Sequence, residues 1–310
     1  MIDFPISELL SESECITWLA SFLHPGGLVC PHCGSVERRH FREQGYFPAY
    51  RCLACDGYYT LLSETVFAKT RQRPATLVLL LRGIAKGESS ARLSRELGIG
   101  RKRVMQLRQR IQNNLYKTLP TEVMSGRTFE ADELYQNAGK KGTPHPDLSD
   151  PPRRRANKRR GRGTYDNDRP PIVSVICRNS GEVRYWVVEH ADKVSTRRII
   201  RASIPPRSTF LFTDEATNYT GLHSHHGTVC HAVHEWARDD DADGIREVHC
   251  NSCEGAGAAL RTFLRVFRGV HKFYLAEYVA TFETLLNAKA ISPAVIQRMC
   301  FGERLHVSDS

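Results

Sequence analysis

The apolar positions change period along the chain, and each change marks a different kind of element. Between residues 76 and 117, Leu93 and Leu97 precede Gly98, and Val104, Leu107, Ile111 and Leu115 then recur at three- and four-residue intervals. This spacing predicts a short helix that Ser89-Ser90 can cap, a glycine turn, and a second helix from Arg101 with one apolar face. From Phe129 the runs become short and β-rich. Phe129–Tyr135 reads as a strand, and Ile172–Cys177 with Val183–Glu189 as a hairpin about Asn179-Ser180-Gly181. Ser195–Ala202 then reads as a helix and Thr209–Asp214 as a buried strand ending in an acid. Thr228–His234 reads as another strand, and Asn251–Phe267 as a helix. Three successive strands followed by helix–strand alternation predict an α/β domain of the ribonuclease H-like kind.

The segments between these patterns suggest three parts. An N-terminal helix and a cysteine-rich segment occupy residues 1–64, a helical unit 65–120, and the ribonuclease H-like domain 121–310. Residues 65–75 and 118–128 read as linkers. Residues 140–171 are rich in Pro, Gly and Arg and read as a loop inserted into the last domain. No apolar run approaches the roughly 20 residues that span a bilayer, and the first residues are acidic where a secretion signal is basic. A cytoplasmic location without membrane contact is the expectation.

Charge adds a partner. The 310 residues carry 44 Lys and Arg against 34 Asp and Glu, a net +10. Such an excess suits a polyanion, because neutralised phosphates release condensed counterions. The cations are also concentrated: Arg101, Lys102, Arg103 and Arg108 stand on the second predicted helix, and Arg153, Arg154, Arg155, Lys158, Arg159 and Arg160 in the insertion. A short helix, a turn and a basic second helix match helix-turn-helix geometry, in which the second helix enters the major groove. A helical hairpin with a solvated basic face has the same pattern.

Ten cysteines do not make a disulfide scaffold in a chain of this length. Cys30-x-x-Cys33 and Cys52-x-x-Cys55 are two knuckles, each soon followed by glycine. Two such turns close a tetrahedral thiolate site, so a structural Zn²⁺ is expected. His32 reads as a bystander, and Cys250 and Cys253 as buried thiols without a metal.

The first and fourth predicted strands carry acids, Asp132 within the first and Asp214 at the end of the fourth, and Glu254 stands on the last helix. Phosphoryl transfer between nucleic acid strands uses two divalent ions about 3.5 to 4 Å apart, and hard Mg²⁺ or Mn²⁺ prefers carboxylate oxygens. Asn251 lies one turn before Glu254, where it can offer an oxygen to the metal or a hydrogen bond to DNA. Arg261 lies two turns after it on the same face, suited to a phosphate. The run Asp239-Asp240-Asp241-Ala242-Asp243-Gly244 reads as an exposed turn.

These residues together resemble bacterial insertion-sequence transposases of the ISXO group, which join a zinc ribbon to a DDE domain. The likeness runs through Cys30-Pro31-His32-Cys33-Gly34-Ser35, Asp132-Glu133-Leu134-Tyr135 and Thr213-Asp214-Glu215 with Tyr219. It continues in His249-Cys250-Asn251-Ser252-Cys253-Glu254-Gly255 and in Phe267-Arg268-Gly269. It implies metal-dependent cleavage at transposon ends and strand transfer into target DNA, by an oligomer assembled on terminal inverted repeats. Asp132, Asp214 and Glu254 match the family's acids, Asn251 its associated asparagine, and Arg261 stands where the family has lysine. Ala256-Gly257-Ala258-Ala259 replaces the family's bulky aromatics. That departure motivates a second reading, a decayed or repurposed relative that binds DNA through its ribbon without cutting.

Overall fold

The computed structural model describes residues 11–140, 156–205 and 209–302. Its first element begins where a capping box closes: Ser11 accepts from the amide of Glu14, and the Glu14 carboxylate accepts from the amide of Ser11. The resulting helix α1 (Glu12–Leu23) buries Trp18, Leu19 and Leu23. The cysteine-rich segment follows as a three-stranded antiparallel sheet of β1 (Arg38–Gln44), β2 (Phe47–Cys52) and β3 (Tyr58–Tyr59).

Three helices come next, α2 (Pro74–Ala85), α3 (Ser90–Leu97) and α4 (Arg101–Lys117). Ser89 caps α3 by accepting from the amide of Arg92, and Gly98 ends it in the left-handed region at φ 64°. That short helix, glycine turn and longer helix are the pattern expected from Ser89, Gly98 and Arg101. The two compact units of the chain divide at Leu119, and residues 284–302 return to the first of them. There helix α8 (Pro293–Cys300) places Ile296 and Met299 among Leu19, Leu81, Ile111 and Leu115. The first unit thus holds ribbon, helical segment and C-terminal helix around one core, a different partition from the three consecutive parts expected. The reason is visible at 65–75: Val66 and Phe67 are buried in that core instead of linking, and the Val66 amide donates to the Cys300 carbonyl.

The second unit spans residues 120–283. Its sheet comprises β4 (Thr128–Tyr135), β5 (Pro171–Cys177), β6 (Val183–Val187), β7 (Phe210–Asp214) and β8 (His226–Val229) in the order β6-β5-β4-β7-β8. β4, β5 and β6 are antiparallel neighbours, and β7 and β8 run parallel to β4. This is the ribonuclease H-like arrangement. The last strand begins two residues earlier than Thr228–His234 suggested, and the chain beyond it turns through a short 3₁₀ segment at His231–Val233.

Every residue of β5 is buried, as a strand covered on both faces must be. Val173, Val175 and Cys177 join Ile199 and Ile200 of α5 (Lys193–Ser203) on one face. Ile172 and Ile176 join Leu260 and Leu264 of α6 (Asn251–Arg265) and Leu275 and Val279 of α7 (Lys272–Asn287) on the other.

Candidate functional site

Alternation along β4 sets the site. Leu134 belongs to the core under α6 while Phe129 and Ala131 belong to the core under α5, so Glu130 and Asp132 share the α6 side. In the parallel pairing of β4 with β7, Glu130 is opposite Phe212. Asp132 and Asp214 each lie two residues beyond that pair, which brings both acids to the same end of adjacent strands. The Asp132 carboxylate accepts from the amide of Glu133 (2.8 Å), and that of Asp214 from the amide of Ala216 (3.1 Å). Burial, then the charges of Glu133 and Asp214 and, more weakly, Glu254, push the Asp132 carboxyl up to about 7. Three acids from distant parts of the chain therefore lie within electrostatic reach.

Glu254 is delivered by the first turn of α6, and that turn is held from outside. Its N-cap residue, Cys250, makes no side-chain cap. Glu130 substitutes: its carboxylate accepts from the amide of Cys253 (3.0 Å) and the hydroxyl of Ser252 (2.9 Å). Glu130 is fully buried and paired with Arg178 at 2.6 Å. Arg178 also donates to the carbonyls of Glu247 (2.6 Å) and His249 (2.7 Å), and its guanidinium lies 4.5 Å from the centre of the Phe212 ring. One buried ion pair so ties the strand of Asp132, the strand of Asp214 and the helix of Glu254. Sequence reading passed over both partners, although Glu130 stands two residues from Asp132 on the same strand face. His231 was also passed over as a neighbour of the site: its Nε2 lies 3.4 Å from Glu254 Oε1.

Asn251 is exposed on the first turn of α6. The small residues after Glu254 have a packing role. A Cβ on Gly257 would lie 3.3 Å from Leu134 Cδ2, and the Tyr185 hydroxyl donates to the Ala256 carbonyl (3.2 Å). Small side chains let α6 approach the sheet that carries Asp132. Cys250 and Cys253 are both buried, and burial pushes their thiols up.

Arg261 is exposed and lines a cleft of about 880 Å³ that also takes in Lys158, Arg159 and Arg160. Arg153, Arg154 and Arg155 lie outside the described residues. In the first unit Arg101 and Lys102 are exposed and Arg103 half-buried on α4. Arg108 is a correction. It is 1% exposed, donating to the Ser90 hydroxyl at 2.9 Å and to the Glu88 carbonyl. It follows Val104 by four residues and precedes Ile111 by three, so helical spacing turns it inward to tie α4 to the start of α3.

The four ribbon cysteines converge with all ligand atoms within 4.8 Å of one another. Cys30 and Cys55 sulfurs are 3.6 Å apart, as are those of Cys33 and Cys52. Thiolates about 2.3 Å from one tetrahedral ion stand at nearly that separation, so the donor set fits. Gly34, at φ 75°, lets its amide turn back to the Cys30 carbonyl (2.9 Å) and closes the first knuckle. The exposed turn at Asp239, Asp241, Asp243 and Glu247 also gathers its carboxylates within 4.8 Å. Asp132, Asp214 and Glu254 stand wider than either group.

Comparison with known proteins bears on both units. Residues 124–283 match the family described as the ISXO2-like transposase domain, and residues 10–57 match the transposase zinc-ribbon domain. A protein of the transposable element ISH50 in Halobacterium salinarum is 28% identical over 281 residues, covering 90% of this chain and 92% of its own. Among solved structures, a pre-cleavage Mos1 transpososome is similar at 12% identity and a TM-score of 0.27, covering 73% of this chain and 76% of that one. A Mos1 transposase paired-end complex with the left transposon end is similar at 12% and 0.26, over 72% and 73%. At such scores the structural likeness carries no weight.

Proposed function

The chain belongs to the ISXO2-like transposase domain family, and on that premise we propose that it cleaves the ends of a transposon and transfers the freed strands into target DNA. The observation that carries this reading is the electrostatic meeting of Asp132, Asp214 and Glu254 at the end of two parallel strands and the start of α6. Hard oxygen donors crowded until their charges repel are suited to divalent cations, and Asp132, Asp214 and Glu254 would hold them. Mg²⁺ or Mn²⁺ bound there supplies activation of the attacking oxygen and relief of charge on the leaving one. Asn251, exposed one turn before Glu254, is placed to orient DNA or complete the ligand set, and Arg261 to hold a phosphate. Water attacks first and frees a 3′-OH, which then attacks the target phosphodiester; no protein-bound intermediate forms.

In the first unit, a structural Zn²⁺ held by Cys30, Cys33, Cys52 and Cys55 shapes the ribbon. With Arg101, Lys102 and Arg103 of α4, the ribbon reads the terminal repeats. Synapsis of two ends calls for at least a dimer on DNA. The rival reading, a DNA binder without catalysis, was motivated by Ala256–Ala259, and the close approach of Gly257 to Leu134 gives those small residues another purpose.

Purified protein with Mn²⁺ and a duplex of the transposon end is expected to give nicked and then joined products, whereas Asp214→Asn gives neither. Equal nicking by both proteins removes Asp214 from the site. Specific end binding with no nicking in any divalent ion favours the binder, and nicking without joined products a nuclease.

A further inference from the structure

The cleft that Arg261 lines, two turns along α6 from Glu254, has an unusual electrostatic composition. Lys158, Arg159 and Arg160 line it from the insertion, Arg169 from the approach to β5, and Arg261, Arg265 and Arg268 from α6 and the turn after it. No carboxylate lines it, and none of these seven cations is in an ion pair with another described residue. Neutral groups hold the walls instead. Arg169 donates to the Gly161 carbonyl (2.7 Å) and the Asn137 side chain (2.8 Å), and Asn137 in turn donates to the Arg159 carbonyl (3.0 Å).

Assembling like charges without counterions opposes folding: burial and then the charge of Arg261 pull the Arg169 guanidinium below its usual range. Arg268 adds a backbone cost, since it occupies the left-handed region at φ 57°, where glycine would sit freely. Tyr135, three residues after Asp132 on β4, also lines the cleft, and the Arg169 guanidinium lies 5.9 Å from the centre of its ring.

We propose that this cleft seats a single-stranded segment of DNA running from the phosphodiester held at the acids, gripped through its phosphates by Arg169, Arg265 and Arg268 beside Arg261. The inference rests on the reading of the acids as a DNA-cutting site. A cavity of about 880 Å³ has room for a few nucleotides. Cations around an aromatic ring are the equipment of single-strand binding, where the backbone pays for position and a base stacks.

The test is binding without added Mg²⁺ or Mn²⁺ and without chelator, where no cleavage occurs and the ribbon keeps its Zn²⁺. Full-length protein is titrated with labelled end duplexes, blunt or carrying a single-stranded extension, over a series of salt concentrations. The extended duplex is expected to bind more tightly and with a steeper salt dependence. The triple variant Arg169→Gln, Arg265→Gln, Arg268→Gln should lose that preference and about 2 from the log–log slope, about 0.7 for each phosphate contact on a single strand. If the triple variant misfolds, Arg265→Gln and Arg268→Gln separately, both exposed, should each lose about 0.7. Equal binding of blunt and extended duplexes by the natural protein, or an unchanged slope in the variants, overturns the proposal. Failure of the cutting reading would instead leave this preference intact, with no nicking when Mn²⁺ is restored.

Discussion

At Asp132, burial and the neighbouring carboxylates act in one direction, and the consequence is a pH dependence with a definite sign. Its carboxyl is pushed up to about 7, while in an unfolded chain the value is about 3.9. Between those two values the folded protein holds a proton that the unfolded chain has released, so the contribution of Asp132 to stability falls as pH rises through this window. Metal-free protein should therefore lose more of its thermal midpoint between about pH 4 and pH 7 than Asp132→Asn does. Added Mg²⁺ at neutral pH should restore the natural protein and not the variant. Parallel melting profiles would show that Asp132 does not feel its neighbours. Arg108 makes a different point at the same scale. Its charge suggested DNA, but its position relative to Val104 and Ile111 directed it into the core, and spacing outranks residue type on a helix.

Among the elements, α6 matters most, because its first turn carries Asn251 and Glu254. What fixes that turn is the buried pair of Glu130 and Arg178. Glu130→Gln retains an acceptor but leaves Arg178 without its carboxylate, and breaking a buried pair costs about 3 to 5 kcal/mol. The expected outcome is a lowered melting temperature with faster hydrogen exchange at the Cys253 amide. An unchanged melt with unchanged exchange would mean that α6 is held by its packing against Leu134 alone. Strand alternation put Glu130 on the face of Asp132, yet which acid faces the other carboxylates and which meets Arg178 depends on partners 48 and more positions away. No spacing rule reaches that far.

For the molecule as a whole, the ribbon is the part whose stability rests on a ligand. Its exposed β1 buries no side chain, and the small cluster at its metal knuckles consists of Cys30, Cys52 and Tyr59. A structural site of this kind contributes folding energy outright. One zinc per chain is expected by elemental analysis, and a strong chelator should open residues 24–62 to proteolysis and abolish end binding. The second unit, with its own two-faced core, should keep its melting transition. Loss of both transitions together would tie the fold of the second unit to the metal. Among the described residues no helix is long and apolar enough to cross a membrane.

Local regularities settled much of this protein before any fold was known. Knuckle spacing marked the ribbon, a cap and a glycine marked α3, and short β-rich runs marked the strands that carry Asp132 and Asp214, because each depends on neighbours within a few residues. Tertiary structure alone decided that Val66 and Phe67 are core, that residues 284–302 complete the first unit, that Glu130 serves α6, and that seven cations face one cleft. Those outcomes are set by which surfaces meet, and burial and charge pairing between distant segments leave no periodic mark on the chain.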